Sequence, residues 1–218
     1  MKHKALILEL DGAVADTAKY HYMAWSELAS QLGIVYTPRD NERTKGMTRM
    51  QALEYMLEIG GRTATEEEKL RWCAEKNHTY LYCLRSIEEY DLRSGVRKFL
   101  SDCRAKGYLT AACSASRNMQ LLMDRLDLWS LFDAVVDGNQ ITRSKPDPEL
   151  YLRCADALGL DPADCIVFQD THSGIAAAKA AGMANALIGR PEFFPGADYA
   201  FPAYDATTIE KIEETLSR

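Results

Sequence analysis

The 218-residue chain is 47% hydrophobic and 27% charged, with a formal net charge of -6, the balance of an ordinary globular protein. Its acidity and the lack of a basic stripe argue against a nucleic-acid partner, and no stretch approaches the ~20 apolar residues of a membrane span. The six cysteines, Cys73, Cys83, Cys103, Cys113, Cys154 and Cys165, form no C-x-x-C pair and read as reduced core thiols of a cytoplasmic protein.

Ala5 to Leu10 is a short continuous apolar run closed by Asp11-Gly12, the pattern of a strand buried on both faces. It is too short for a secretory leader and is followed by acids. Helical patterns cover Thr17 to Leu32, Arg49 to Glu58 and Thr65 to Arg85, and nothing between Asp16 and Ile87 reads as a buried strand. An all-helical insert is expected there. After Tyr90, strands and helices alternate. A helix opens at Ser94-Gly95-Val96 and runs to about Lys106, and Tyr108 to Cys113 is a strand. Met119 to Arg125 is helical and Phe132 to Val136 a strand. Pro148 to Leu158 is helical and Cys165 to Phe168 a strand. Ser173 to Ala181 is helical and Ala184 to Ile188 a strand. The segment Glu192 to Tyr204, with Pro195, Gly196 and Pro202, reads as a surface loop before a last helix.

Such alternation predicts an α/β fold, a Rossmann-type parallel sheet with crossover helices. The core would comprise residues 1–15 and 92–218, with a small helical domain over 16–91 inserted after the first strand. In open α/β sheets ligands sit off the carboxyl ends of the strands. The polar residues there are Glu9 and Asp11, then Ser114, then Ser144 and Lys145, then Gln169 and Asp170. Converging carboxylates suit a hard divalent cation such as magnesium. A lysine and a hydroxyl beside them suit a phosphoryl group, whose transfer depends on charge neutralisation and positioning.

Four segments carry a resemblance. They are Leu8-Glu9-Leu10-Asp11-Gly12, Ala112-Cys113-Ser114-Ala115-Ser116, Ser144-Lys145-Pro146-Asp147-Pro148, and Phe168-Gln169-Asp170-Thr171-His172-Ser173-Gly174-Ile175. In order and spacing they resemble the four motifs of the haloacid-dehalogenase-like (HAD) superfamily. Asp16 to His21 with Trp25, the Lys45-Gly46-Met47-Thr48-Arg49 loop, Lys76-Asn77 and Ser116-Arg117-Asn118 resemble the β-phosphoglucomutase-like subfamily and its helical cap.

The resemblance implies a monomeric enzyme acting on a sugar or sugar phosphate with Mg2+. Glu9 would occupy the position of the nucleophile and Asp11 that of the general acid/base. Ser114 and Lys145 would hold the phosphoryl group, and Glu9, Asp11, Gln169 and Asp170 would surround the metal. Thr17, His21, Trp25, Lys45, Gly46, Arg49, Lys76, Ala115, Ser116, Arg117 and Asn118 would bind substrate, the cap closing to exclude water.

Two positions depart from the family. Glu9 replaces an aspartate, adding a methylene that moves the carboxylate by roughly 1 Å, a displacement that can cost about 100-fold in rate. Gln169 replaces a carboxylate and removes one negative charge from the cation site. Three readings follow: a sugar-phosphate mutase or phosphatase using Glu9, a metal-independent glycoside hydrolase using the Glu9/Asp11 pair, or a non-catalytic sugar-phosphate binder.

Plainer roles stand beside these. Asp16 and Thr17 are good helix caps. His21 could be structural, Trp25 packing, and Arg49 and Lys76 solvated helix residues. Arg117 and Asn118 could merely begin a helix, and His3, His78 and His172 read as terminal, surface or structural.

Overall fold

The computed structural model describes residues 2–217. The chain divides into two compact units. One runs to Asp16 and resumes at Glu88, and the other spans Thr17–Ile87.

The first unit is built on a six-stranded sheet in the order β3-β2-β1-β4-β5-β6. Its strands are β1 (Ala5–Glu9), β2 (Leu109–Cys113), β3 (Ala134–Val136), β4 (Cys165–Gln169), β5 (Ala184–Ile188) and β6 (Tyr199–Phe201), and every pairing is parallel. β1 and β4 are buried at every position, as expected of strands with helices on both faces. The chain runs from β1 through β2 to β3 on one side, then returns to β4 and runs out to β6. The reversal lies between the neighbours β1 and β4, the place where open sheets leave a crevice at their carboxyl ends. The register aligns Glu9 with Cys113 and Leu8 with Phe168, so the residues that follow these strands emerge at one level.

Two expectations are corrected here. β1 stops at Glu9, because Leu10 already begins a wide turn over Leu10–Val14, closed by Ala15 N donating to Leu10 O at 3.0 Å. The Glu192–Tyr204 segment is not simply a surface loop. It contains β6, and Phe201 and Tyr204 are buried against Phe168 and Phe99, with ring centroids 5.0–6.2 Å apart. Asp198 secures the strand's start by accepting from Asn185 N at 3.0 Å and Asn185 Nδ2 at 2.6 Å.

The remaining helices of this unit are α5 (Val96–Ala105), α6 (Met119–Arg125), α7 (Glu149–Leu158), α8 (His172–Ala180) and α9 (Ile209–Leu216). His3, expected to be an unremarkable terminal residue, is buried and bonds Glu213 through Nδ1 at 2.9 Å.

The second unit contains α1 (Ala18–Gln31), α2 (Pro38–Thr44), α3 (Arg49–Ile59) and α4 (Glu66–Cys83). Three of these begin with reciprocal capping boxes, Thr37 with Asp40, Thr48 with Gln51 and Thr65 with Glu68, each satisfying two backbone donors at a helix start. Trp25, Leu28, Leu53, Met56 and Trp72 lie in its core. α2 was not expected. Its polar run carries no apolar stripe, and its start is marked only by Thr37, Pro38 and Asp40.

Candidate active site

Glu9 closes β1, where strand alternation puts its side chain on the same face as Ala5 and Ile7. Only 4% of that side chain is exposed, and its Oε2 receives Lys145 Nζ at 2.7 Å. Cys113 Sγ lies 3.9 Å from the same oxygen. Burial works against charge on both partners. On Lys145 the Glu9 carboxylate outweighs it and holds the ammonium above the ordinary lysine range. On Glu9 burial prevails over Lys145, with Asp11 and Asp170 adding repulsion, and the carboxyl is pushed up.

Two residues on, Asp11 has left the strand. The turn depends on Gly12, whose φ of 98° is left-handed. A Cβ there would lie 2.4 Å from the carboxylate oxygens of Asp170, so the missing side chain lets Asp170 close up against the β1 turn. Asp11 Oδ2 accepts from Ser114 Oγ at 2.6 Å, and Ser114 Oγ accepts in turn from Ser116 N at 2.9 Å. Ser116 Oγ accepts from Asn118 N at 3.1 Å. Ser114 is buried, Ala115, Ser116 and Asn118 are half-buried, and Arg117 is exposed. Asn118 does precede α6, but its side chain makes no cap hydrogen bond there.

Lys145 is carried by the loop between β3 and α7. Glu149, the first residue of α7, holds that loop by accepting from Arg143 N at 2.7 Å and from Thr142 N and Oγ1 at 3.0 Å. Glu149 does not stand out in the sequence. Its signal was an acid in the first turn of a helix.

In the helical unit, Lys76 is buried and is not the solvated residue of the plainer reading. Its Nζ lies 4.8 Å and 4.5 Å from the ring centroids of Trp25 and Tyr80, and 3.0 Å from His21 Nδ1. The His21 and Tyr80 rings stack at 4.2 Å. A ring that accepts from the ammonium at Nδ1 carries its proton on Nε2. Trp25 is a core residue as well as a wall for the cation. Lys45 and Gly46 form the turn before α3, with Lys45 Nζ 2.9 Å from Glu42, and half-buried Arg49 opens α3 itself. Thr17 is buried at the start of α1, yet its side chain makes no cap hydrogen bond there.

Of the four residues expected around magnesium, Glu9 and Gln169 each have a protein partner. The Gln169 amide oxygen accepts from Thr171 N at 2.5 Å, because that N–H, just before α8, needs an acceptor. The Gln169 Nε2 is buried with no partner among the described residues. Glu9 is engaged by Lys145. Among the described residues, no three His, Cys, Asp or Glu side chains gather in a way that would hold a metal ion. No helix among them is long and apolar enough to cross a membrane.

A parallel α/β core with acid, hydroxyl and ammonium groups brought together at its strand ends defines an enzyme of the Rossmann-like class. The model of the haloacid dehalogenase-like hydrolases matches residues 3–182, and the chain belongs to that family. It is 34% identical to the β-phosphoglucomutase of Bacillus subtilis over 97% of this chain and 94% of that protein. It is 31% identical to the phosphorylated carbohydrates phosphatase of Thermotoga maritima over 83% of this chain and 82% of that protein. The crystal structure of β-phosphoglucomutase from Clostridium difficile superposes with a TM-score of 0.93 at 33% identity, covering 99% of this chain and 97% of that one.

Proposed function

We propose that the protein transfers a phosphoryl group on a sugar phosphate, as a β-phosphoglucomutase-like mutase or a related phosphatase. The observation that carries this reading is the buried Lys145–Glu9 pair beside the Asp11–Ser114 hydrogen bond, on a chain similar to enzymes named for phosphorylated sugars.

In the forward step a Glu9 oxygen attacks phosphorus, and the bond from phosphorus to the sugar oxygen breaks. Asp11 gives its proton to the departing oxygen. Transfer from Glu9 to a second sugar hydroxyl, or to water, reverses the roles, and Asp11 takes the proton back. Lys145 and Ser114 neutralise and orient the phosphoryl oxygens. Ser116, Arg117 and Asn118, with Arg49, Lys45, Gly46, Thr17, His21, Trp25 and Lys76, are the proposed contacts to sugar and to a second phosphate.

A second reading draws on two observations: the Gln169 amide oxygen is taken up by Thr171 N, and the Glu9 and Asp11 carboxyls stand two residues apart at the end of β1. Two carboxyls facing a sugar, one acting as acid and the other as base or nucleophile, are the equipment of a glycoside hydrolase. Glu9 would then act as acid and Asp11 as base or nucleophile, with no metal.

Turnover of β-glucose 1-phosphate, with and without magnesium, in the parent and in Glu9→Asp, separates the two when run beside nitrophenyl glycosides. Phosphoryl transfer in the parent that rises with Glu9→Asp supports the first reading. Metal-free release of nitrophenol that Glu9→Asp abolishes, without phosphoryl transfer, overturns it in favour of the second.

A further inference from the structure

Tyr151, near the start of α7, is wholly buried, and its hydroxyl has no hydrogen-bond partner among the described residues. A buried hydroxyl left unpaired is costly, whereas phenylalanine would fill the same space without that penalty. The tyrosine shares an apolar cluster with Ala5 and Ile7 of β1 and with Ala111 and Cys113 of β2. That cluster lies directly behind Glu9, whose Oε2 is 3.9 Å from Cys113 Sγ. Glu9 Oε2 also takes the Lys145 ammonium. Burial first, and then the negative charge of Glu9, push the Tyr151 phenol well above its ordinary range.

We infer that Tyr151 is a positioning residue whose hydroxyl donates to the Glu9 carboxylate when Lys145 is drawn onto the phosphoryl group. The inference rests on the reading of Glu9 as phosphoryl acceptor. As the ammonium shifts its protons to phosphoryl oxygens, a buried carboxylate loses much of its hold. A neutral donor behind it keeps one oxygen fixed and the other aimed at phosphorus, without quenching its charge as a closely bound cation would.

The test is Tyr151→Phe in the parent and in Glu9→Asp, assayed on β-glucose 1-phosphate. In the parent, kcat is expected to fall roughly tenfold, the effect of one hydrogen bond to a charged group, with KM unchanged and the thermal midpoint held or raised. In Glu9→Asp, whose carboxylate is a methylene shorter and withdrawn from the tyrosine, the same substitution leaves kcat unchanged. A readout that needs no turnover is the tyrosine absorbance difference induced in the parent by saturating inorganic phosphate, expected to vanish when residue 151 is phenylalanine. Full kcat in Tyr151→Phe, an equal fall in both backgrounds, or a difference band that survives the Tyr151→Phe change overturns the inference. Full turnover in Glu9→Gln overturns the reading of Glu9 itself, and that result is distinct from any behaviour of Tyr151.

Discussion

Lys145 Nζ and Glu9 Oε2 meet at 2.7 Å, with 2% and 4% of the two side chains exposed. Such a pair is more costly to break than to replace, because removing one partner strands the other charge in the interior. Lys145→Met is therefore expected to lose about 3–5 kcal/mol of stability together with activity. Adding Glu9→Gln to it removes the stranded charge, recovering most of the stability and none of the activity. Urea midpoints of the parent, the single and the double variant check this. Equal losses in the single and double variants would show that the charge of Glu9 is not what Lys145 balances.

Glu149 provides a pH test of the loop that carries Lys145. Backbone donation from Arg143, with further bonds from Thr142 and Arg153, pulls its carboxyl from the ordinary 4.5 down to about 2. A folded value below the unfolded one contributes stability that is complete above the unfolded value and lost as the pH falls toward the folded one. The parent's thermal midpoint should thus exceed that of Glu149→Gln at neutral pH, and the two should converge between pH 4.5 and 2. The variant should also lose turnover at neutral pH, since its loop is no longer held in place. A constant gap across that window would show that Glu149 acts through packing rather than charge.

Lys76 places a cation among Trp25, Tyr80 and His21. Lys76→Met keeps a long apolar stem in the same space and loses the charge. The expected result is a KM for sugar phosphate raised roughly tenfold, with a urea midpoint lowered only by the loss of cation–aromatic contacts contributing about 2 kcal/mol at a desolvated site. An unchanged KM with a large loss of stability would make the lysine purely structural.

The central strands were readable because a parallel sheet covered on both faces demands unbroken apolar runs, and Ala5 to Leu8 and Cys165 to Phe168 are such runs. β6 was not. Three residues between prolines carry no periodicity, and the strand exists because Phe201 and Tyr204 find Phe168 and Phe99 from distant parts of the chain. The residues following each strand could be nominated from the same logic, since position at a strand end is a local property. What Glu9 and Gln169 face is not local. The direction of the Gln169 amide is set by Thr171 N and by Gly174, where a Cβ would lie 2.5 Å from the amide oxygen. Tyr151 looked like any helix core residue, because the sequence does not show that its hydroxyl would be left without a partner.

The two ends of the inserted helical unit are tied together within the sheet domain. Asp16 N donates to Asp91 O at 2.8 Å, Arg93 N donates to Val14 O at 2.8 Å, and Ala15 bridges Leu92. The chain thus leaves and rejoins the sheet domain through a seam a few ångströms wide. Anything inserted there need only begin and end at neighbouring points, whatever its size. The helical unit is in that sense a cassette. Its sequence can drift, lengthen or be exchanged for another without moving the two points at which the sheet domain holds it.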